Sequence, residues 1–278
     1  MPTFTRKALR QSLGRYFLRD TIVSTVTGSV ATGGSFVVLD STQANAAFSG
    51  RQMYEDNWIK VHAAEFRVAS FNAPSGAYVM MQPLGTLLNA GVEYEHHMKL
   101  SPADKDGCLN QAIQGICLEK EICLPGVRDA LNYLVASVNA ACSPHVVRKV
   151  LDVYYYADPT NTGNRGRRSF VQHGVVTTGS GEEIRVSSAI SDDQQLAVLA
   201  LLEVTLGSLD TASVEIPDDT WVLWRAAAWA YWLLERDAPG QEANKYRTYR
   251  RDCALEFTRL STRFQPVAAK SIQLRTPV

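Results

Sequence analysis

The sequence predicts an α+β protein: a helical bundle of about four helices, an antiparallel β-sandwich inserted into it, and an extended C-terminal arm. Three observations carry this. Apolar stripes of helical period stand near both ends and at two places between. The stretches separating them alternate apolar and polar residues and break at Gly, Asn and Pro. The last residues, QPVAAKSIQLRTPV, carry no helical stripe and place a proline second.

The first helix is expected over 6–19, with Leu9, Leu13, Tyr16 and Phe17 on one stripe and Arg6, Lys7, Arg10, Arg15 and Arg19 elsewhere. Residues 21–100 are rich in Gly, Ser, Thr and Val, with strands read at 77–82 and 92–96. A second helix is expected over 101–121, because Ser101, Pro102 and Asp104 supply a cap, a pre-set first turn and a capping-box acid. Strands follow at 145–156, 170–177 and 182–190, the last two joined by Thr178-Gly179-Ser180-Gly181. Residues 195–206 are apolar on both faces, and their Val/Thr content and short span favour a buried central strand over a helix.

Four of the five tryptophans, Trp221, Trp224, Trp229 and Trp232, lie in the next helix, opened by Pro217-Asp218-Asp219. At about 100° per residue they share an arc of roughly 140°. Leu223, Ala226, Ala227, Ala230 and Leu234 make the opposite face apolar too, so the helix must be enclosed by its own core or by another subunit. Arg225 stands at i±4 between Trp221 and Trp229, where a cation can stack on indole. A last helix, 242–264, carries the narrow seam Tyr246, Tyr249, Cys253, Phe257, Leu260 and Phe264. These readings group 1–25, 101–132 and 217–264 as the bundle, 26–100 as a first β region, 133–216 as the sandwich and 265–278 as the arm.

Hydrophobic residues make up 46% and charged residues 20% of the 278, which is a folded rather than a disordered composition. Formal charge is zero overall but segregated. Residues 1–20 and 242–278 hold thirteen Lys/Arg against four acids, so 21–241 hold fifteen against twenty-four. Such separation implies that different faces meet partners of different charge. The five cysteines are odd in number and form no CxxC, so they read as small buried hydrophobes in a reducing compartment. The basic N-terminus lacks a signal-peptide core and no apolar run is long enough to span a bilayer, so a soluble chain made in the cytoplasm is expected.

Nothing in the pattern marks an active site, a cofactor site or a metal site. His96 and His97 are neighbours in a strand and point to opposite faces, and His62, His145 and His173 stand apart. There is no GxSxG elbow, and the glycines of 28–34 are not followed by Lys-Ser/Thr. Arg165, Arg167 and Arg168 crowd one loop tip, which can hold phosphates or an acidic protein surface or simply be solvated.

The order of parts, with SPADKDGCLNQAI at 101–113, VLDVYYYADP at 150–159 and IPDDTWVLWRAAAWAYWLLER at 216–236, resembles the head–tail adaptor (neck, or connector) proteins of tailed bacteriophages. It is most similar to the longer, tail-tubular-A-like adaptors, in which a β-sandwich interrupts a helical bundle. The likeness covers 5–264 and is one of layout. It implies a virion structural protein, not an enzyme, needing no cofactor and touching no membrane. It implies a homo-oligomeric ring, twelve-fold, docked under the portal protein in the virion neck. Tail or nozzle proteins would bind below, and genomic DNA would pass through the ring without sequence-specific binding. In such proteins the extended C-terminal segment reaches into the portal, and here Pro266, Lys270, Ile272, Leu274 and Arg275 give that arm its mixed character. On this reading the acid-rich middle faces the channel and the basic helix faces meet partners. Two other classes stand beside it: a tail-associated or carbohydrate-binding β-sandwich module, and a hydrolase using scattered carboxylates.

Overall fold

A computed structural model describes residues 2–28, 37–44, 56–84, 88–124, 127–128, 134–137, 146–156, 168–170, 173–178, 181–186 and 196–264. It divides the chain into two compact units, one built from Met1–Ala112 with Leu206–Thr262 and the other from Ile113–Thr205. The architecture is α+β, with four α-helices among the described residues and antiparallel sheets.

In the first unit, β1 (Thr3–Thr5) pairs with β16 (Ser213–Glu215) and leads directly into α1 (Arg6–Ser12), whose first turn is capped by the Thr5 hydroxyl accepting from Ala8 N at 3.2 Å. The helix then widens into a π turn over Leu13–Leu18 and stops at Arg19, which adopts φ 51°. A π turn advances the phase of the side chains. Leu9, Leu13 and Leu18 are therefore buried, and Tyr16, placed on the apolar stripe by a regular period, is 67% exposed. Gly14 is required in this turn, because a Cβ there would stand 2.0 Å from Thr21 Oγ1.

Six antiparallel strands follow: β2 (Thr21–Thr25), β3 (Val37–Leu39), β4 (Trp58–Val61), β5 (Ala64–Asn72), β6 (Ala77–Met80) and β7 (Glu93–His97), in the order β2-β7-β4-β5-β6-β3. Just beyond β2, Thr27 N donates to Leu39 O at 2.9 Å, so the two outer strands meet and the sheet curls round one core. Val38, Ile59, Val68, Tyr78, Met80 and Tyr94 fill it, all 2% exposed or less. At its margin Tyr94 Oη donates to Asp40 at 2.7 Å, and Asp40 also accepts from Ser24 and Thr42. The first β region is thus a curled sheet of its own, and β2 draws residues 21–25 out of the expected bundle.

The helix α2 (Pro102–Ile113) forms as its capping box predicts, with Asp104 N donating to Ser101 Oγ at 3.0 Å and Ser101 N to Asp104 at 3.3 Å. It does not reach residue 121. Gly115 takes φ 79°, a left-handed end that glycine adopts without cost, and 117–124 become strand β8. The expected bundle segment 101–132 therefore ends early, and the β insertion starts at residue 117 instead of 133. The unit is completed by α3 (Asp219–Asp237) and α4 (Gly240–Phe264), an αα-hairpin. Asp218 caps α3 by accepting from Thr220 N at 2.7 Å.

The second unit holds β8 (Cys117–Leu124), β9 (Val127–Arg128), β10 (Leu134–Ser137), β11 (Val146–Tyr156), β12 (Arg168–Phe170), β13 (His173–Thr178), β14 (Gly181–Val186) and β15 (Leu196–Glu203). They form two four-stranded antiparallel sheets, β13-β14-β10-β9 and β12-β11-β15-β8, the expected sandwich. β15 lies between β11 and β8, with Ala197, Val198, Ala200, Leu201 and Leu202 buried, which makes residues 196–203 a central strand. The register of β13 and β14, Thr178↔Gly181, matches the turn read from the sequence. In β11 the alternation fails at two register shifts, Val147/Lys149 and Val150/Asp152. Tyr154 is 1% exposed, and its hydroxyl donates to Glu121.

Candidate functional site

The side chains with the most unusual surroundings lie in the first unit, where the basic face of α1 folds inward. Arg10 is fully buried. Its Nε and Nη2 donate to the two Glu95 oxygens at 2.9 Å each, the planar fork that guanidinium and carboxylate share. Nη1 donates to Asp210 at 2.8 Å and to Asp106 at 3.0 Å. Arg6, 3% exposed, donates to Gly207 O at 2.6 Å and Asn110 Oδ1 at 2.6 Å. Two of the arginines expected on the outer face of α1 are therefore internal ties between α1, β7, α2 and the 206–212 loop. They are not available to a partner.

The network continues through Glu95 to His97, whose Nε2 lies 3.1 Å from Glu95 Oε2, while its Nδ1 lies 2.8 Å from Lys105 Nζ. Those partners assign the tautomer: Nε2–H donates to the carboxylate and Nδ1 accepts from the ammonium. Lys105, itself fully buried, also donates to Asp20 and to Thr21 Oγ1 at 2.7 Å each. Burial pushes the Lys105 ammonium below its ordinary value, against the pull of Asp20. On the other side of β7, His96 packs 5.1 Å from the Tyr78 ring and accepts from Asn57 Nδ2 at 3.2 Å. The two histidines face different neighbours, as their adjacency in a strand requires.

The tryptophan face is graded. Trp221 is fully buried, stacked on Phe257 at 6.1 Å, and its indole N–H donates to Ser261 Oγ at 2.9 Å. Trp224 meets Phe17 edge-on at 4.8 Å. Trp229 and Trp232 form a T-shaped pair at 5.8 Å, and Trp232 remains 36% exposed. Arg225 is buried, donates to Ala112 O at 2.9 Å at the end of α2, and lies over the Phe257 ring at 5.3 Å. Burial holds it down at about 10. Trp221→Ala should cost about 3–5 kcal/mol through the cavity it leaves, whereas Trp232→Ala in the isolated chain should cost well under half of that. Urea unfolding of the two variants checks the ranking.

Beside this helix lies a groove of about 670 Å³. Trp224, Tyr231 and Tyr246 build its apolar side, Tyr16 and Tyr249 its exposed edge, and Arg19, Lys99 and Lys245 its positive charge against the single acid Asp252. Lys99 lies 5.9 Å over Tyr246 and Lys245 lies 5.8 Å over Tyr249. The narrow α4 seam is only partly as read: Tyr246, Arg250, Cys253 and Phe257 are buried, and Tyr249 is 40% exposed. Cys108, Cys117 and Cys253 are free and buried, and burial pushes the Cys108 and Cys253 thiols up to about 12, which keeps them protonated.

Of the remaining sequence-predicted site residues, Arg165 and Arg167 lie outside the described residues, and Arg168 opens β12 with its side chain undescribed. Pro266, Lys270, Ile272, Leu274 and Arg275 also lie outside them. Among the described residues no three metal-ligating side chains converge, and no helix is long and apolar enough to cross a membrane. The sequence reading missed the Arg10 and Lys105 networks. Their members come from segments up to 200 positions apart, so no local spacing announces them. Comparison with protein-family models, with curated proteins and with solved structures finds no significant match to this chain.

Proposed function

We propose that this protein is a head–tail adaptor of a tailed bacteriophage, a structural ring component that joins the portal to the tail and surrounds the DNA path. The observation that carries the reading is the order of parts. The chain builds α1 and α2, leaves to make a separate β unit over Ile113–Thr205, and returns to complete the same helical unit with α3 and α4. That arrangement supports the resemblance drawn from the sequence. The exposed aromatics Tyr16, Trp232 and Tyr249 support it further, since large apolar side chains held in water mark contact surfaces.

In this reading the protein does no chemistry. Its partners are copies of itself, the portal protein and tail or nozzle proteins, and its place is the neck of the virion. Residues 265–278 form the arm that engages the portal, with Ile272 and Leu274 supplying burial and Lys270 and Arg275 attraction to acidic groups, which salt weakens. The test is the assembled mass with and without the cognate portal, for the full chain and for a 265–278 deletion. The expected result is a portal-bound ring of the full chain and loss of attachment by the deletion, with melting nearly unchanged. A full chain that does not bind portal-filled heads overturns the reading.

A further inference from the structure

The aromatic groove between α3, α4 and the π turn has walls fixed in advance. Tyr231 Oη donates to Phe17 O at 2.8 Å and Tyr246 Oη to Glu242 at 2.8 Å. The Tyr231 ring lies 6.1 Å from that of Tyr246 and 5.3 Å from that of Tyr249. Walls held in this way lose little further freedom when a ligand covers them, so burial there converts to affinity at a small entropic cost. The edge is open to water. Tyr16 is 67% and Tyr249 40% exposed, and neither hydroxyl makes a hydrogen bond among the described residues.

The charge at this edge is not compensated. Elsewhere in the same unit Lys7, Arg10 and Lys60 each have a carboxylate at 3.6 Å or less. Arg19, Lys99 and Lys245 are exposed and form no ion pair among the described residues, and Asp252 is the single acid beside them. Lys99 and Lys245 rest over the Tyr246 and Tyr249 rings, and Arg15 lies 5.6 Å over the ring of Tyr16. Free donors round an apolar cleft fit an anion that brings acceptors and an apolar side chain together. A nucleic acid strand fits less well. It holds by stacking bases on ring faces, and each of these outer rings already has a cation over it. The chain's own 265–278, with Lys270 and Arg275 and no acidic side chain, has the wrong sign.

We propose that this groove is a docking site for an acidic segment of a partner protein, one that inserts an apolar side chain among the rings and sets its carboxylates on Arg19, Lys99 and Lys245. The volume of about 670 Å³ has room for one large side chain and the backbone beside it. The Tyr16 and Tyr249 hydroxyls supply two further donors to the same carboxylates. The inference stands apart from the adaptor reading and names only the chemistry of the segment.

The experiment is fluorescence anisotropy of a peptide, Gly-Ser-Asp-Glu-Leu-Asp-Glu-Ser-Gly with blocked ends and an uncharged dye, titrated with the full chain. Three altered peptides accompany it: serine for the leucine, the matching amides for the acids, and lysine for the acids. The parent peptide should bind saturably, less so as salt rises, and the serine and amide versions should bind at least about tenfold more weakly. Lys99→Glu combined with Lys245→Glu alters two exposed residues, so circular dichroism and melting should stay unchanged. That protein should lose the parent peptide and gain the lysine peptide, an exchange of sign that a structural disturbance would not produce. No saturable binding of the parent peptide at millimolar protein overturns the proposal, as does an amide peptide that binds equally well. An oligothymidylate strand that binds more tightly and displaces the peptide also overturns it, because the groove then takes nucleic acid. So does a wild type that self-associates and becomes monomeric in the double variant, because the groove then holds a second copy. None of these results touches the adaptor reading, which portal attachment decides.

Discussion

Acidification from pH 6.5 to pH 4 is expected to strip stability from the helical unit at up to about 3 kcal/mol per pH unit. The cause is the pair His96 and His97, both fully buried. Burial, reinforced by the charge of Lys105, holds His96 down at about 3; burial also holds His97 down at about 4, though its hydrogen bond to Glu95 pulls the other way. In the unfolded chain both imidazoles take up a proton below about 6.5. Over that window the unfolded state binds up to two more protons than the fold, so unfolding becomes easier as pH falls. Glu95 acts lower. Burial raises its carboxyl, but His97 and Arg10 outweigh that and hold it at about 2, so its contribution is lost only as pH falls from 4.5 toward 2. Urea unfolding at pH 7.5, 6 and 5 measures the slope. His97→Gln keeps an acceptor for Lys105 and a donor for Glu95 without titrating, and it should remove about half of the slope. An unchanged slope in that variant means that His97 is not the group responsible.

Arg10→Ala should destabilise the same unit by about 3–5 kcal/mol, because it leaves the buried Glu95 carboxylate without its fork and strips Asp210 and Asp106 of a shared cation. Arg10→Lys should recover little, since an ammonium cannot donate to Glu95 through two parallel bonds while also reaching Asp210. Arg10→Met combined with Glu95→Gln should cost clearly less than the two single changes added together, because the loss in each single variant is largely the unpaired group it leaves. Chemical denaturation of the four proteins gives the coupling. Additive losses would show that Arg10 and Glu95 act separately.

The elements that could be read in advance share a property: their signals are local. The Ser101–Asp104 box, the Asp218 cap, the Thr178↔Gly181 register of β13 and β14 and the apolar run of β15 each sit within a few residues, and each formed where expected. What escaped was set by distant partners. The π turn that exposes Tyr16 depends on Gly14 meeting Thr21, and the curled sheet depends on Thr27 meeting Leu39. The helical period past Ile113 also misled, because Ile116 and Lys120 fit a stripe that Gly115 had already ended. Arg6 and Arg10 looked like a solvated face because their carboxylates lie far along the chain. The groove was partly legible, since Trp224, Tyr246 and Tyr249 were already marked as apolar positions of two helices. Its cations were not.

The strands that open and close the β insertion are immediate neighbours. β8 pairs with β15 along its whole length, from Leu124↔Leu196 to Cys117↔Glu203, and Val204 N donates to Ile116 O at 2.9 Å. Closing a free loop of about ninety residues costs roughly 4 kcal/mol of chain entropy. Once this strand pair has zipped, that cost has been met by the insertion's own hydrogen bonds. The two stretches of the helical unit then emerge side by side, as if joined by a short turn. The insertion is therefore a clasp as well as a domain, and by its topology it can be exchanged for a tight hairpin without lengthening the path between α2 and α3.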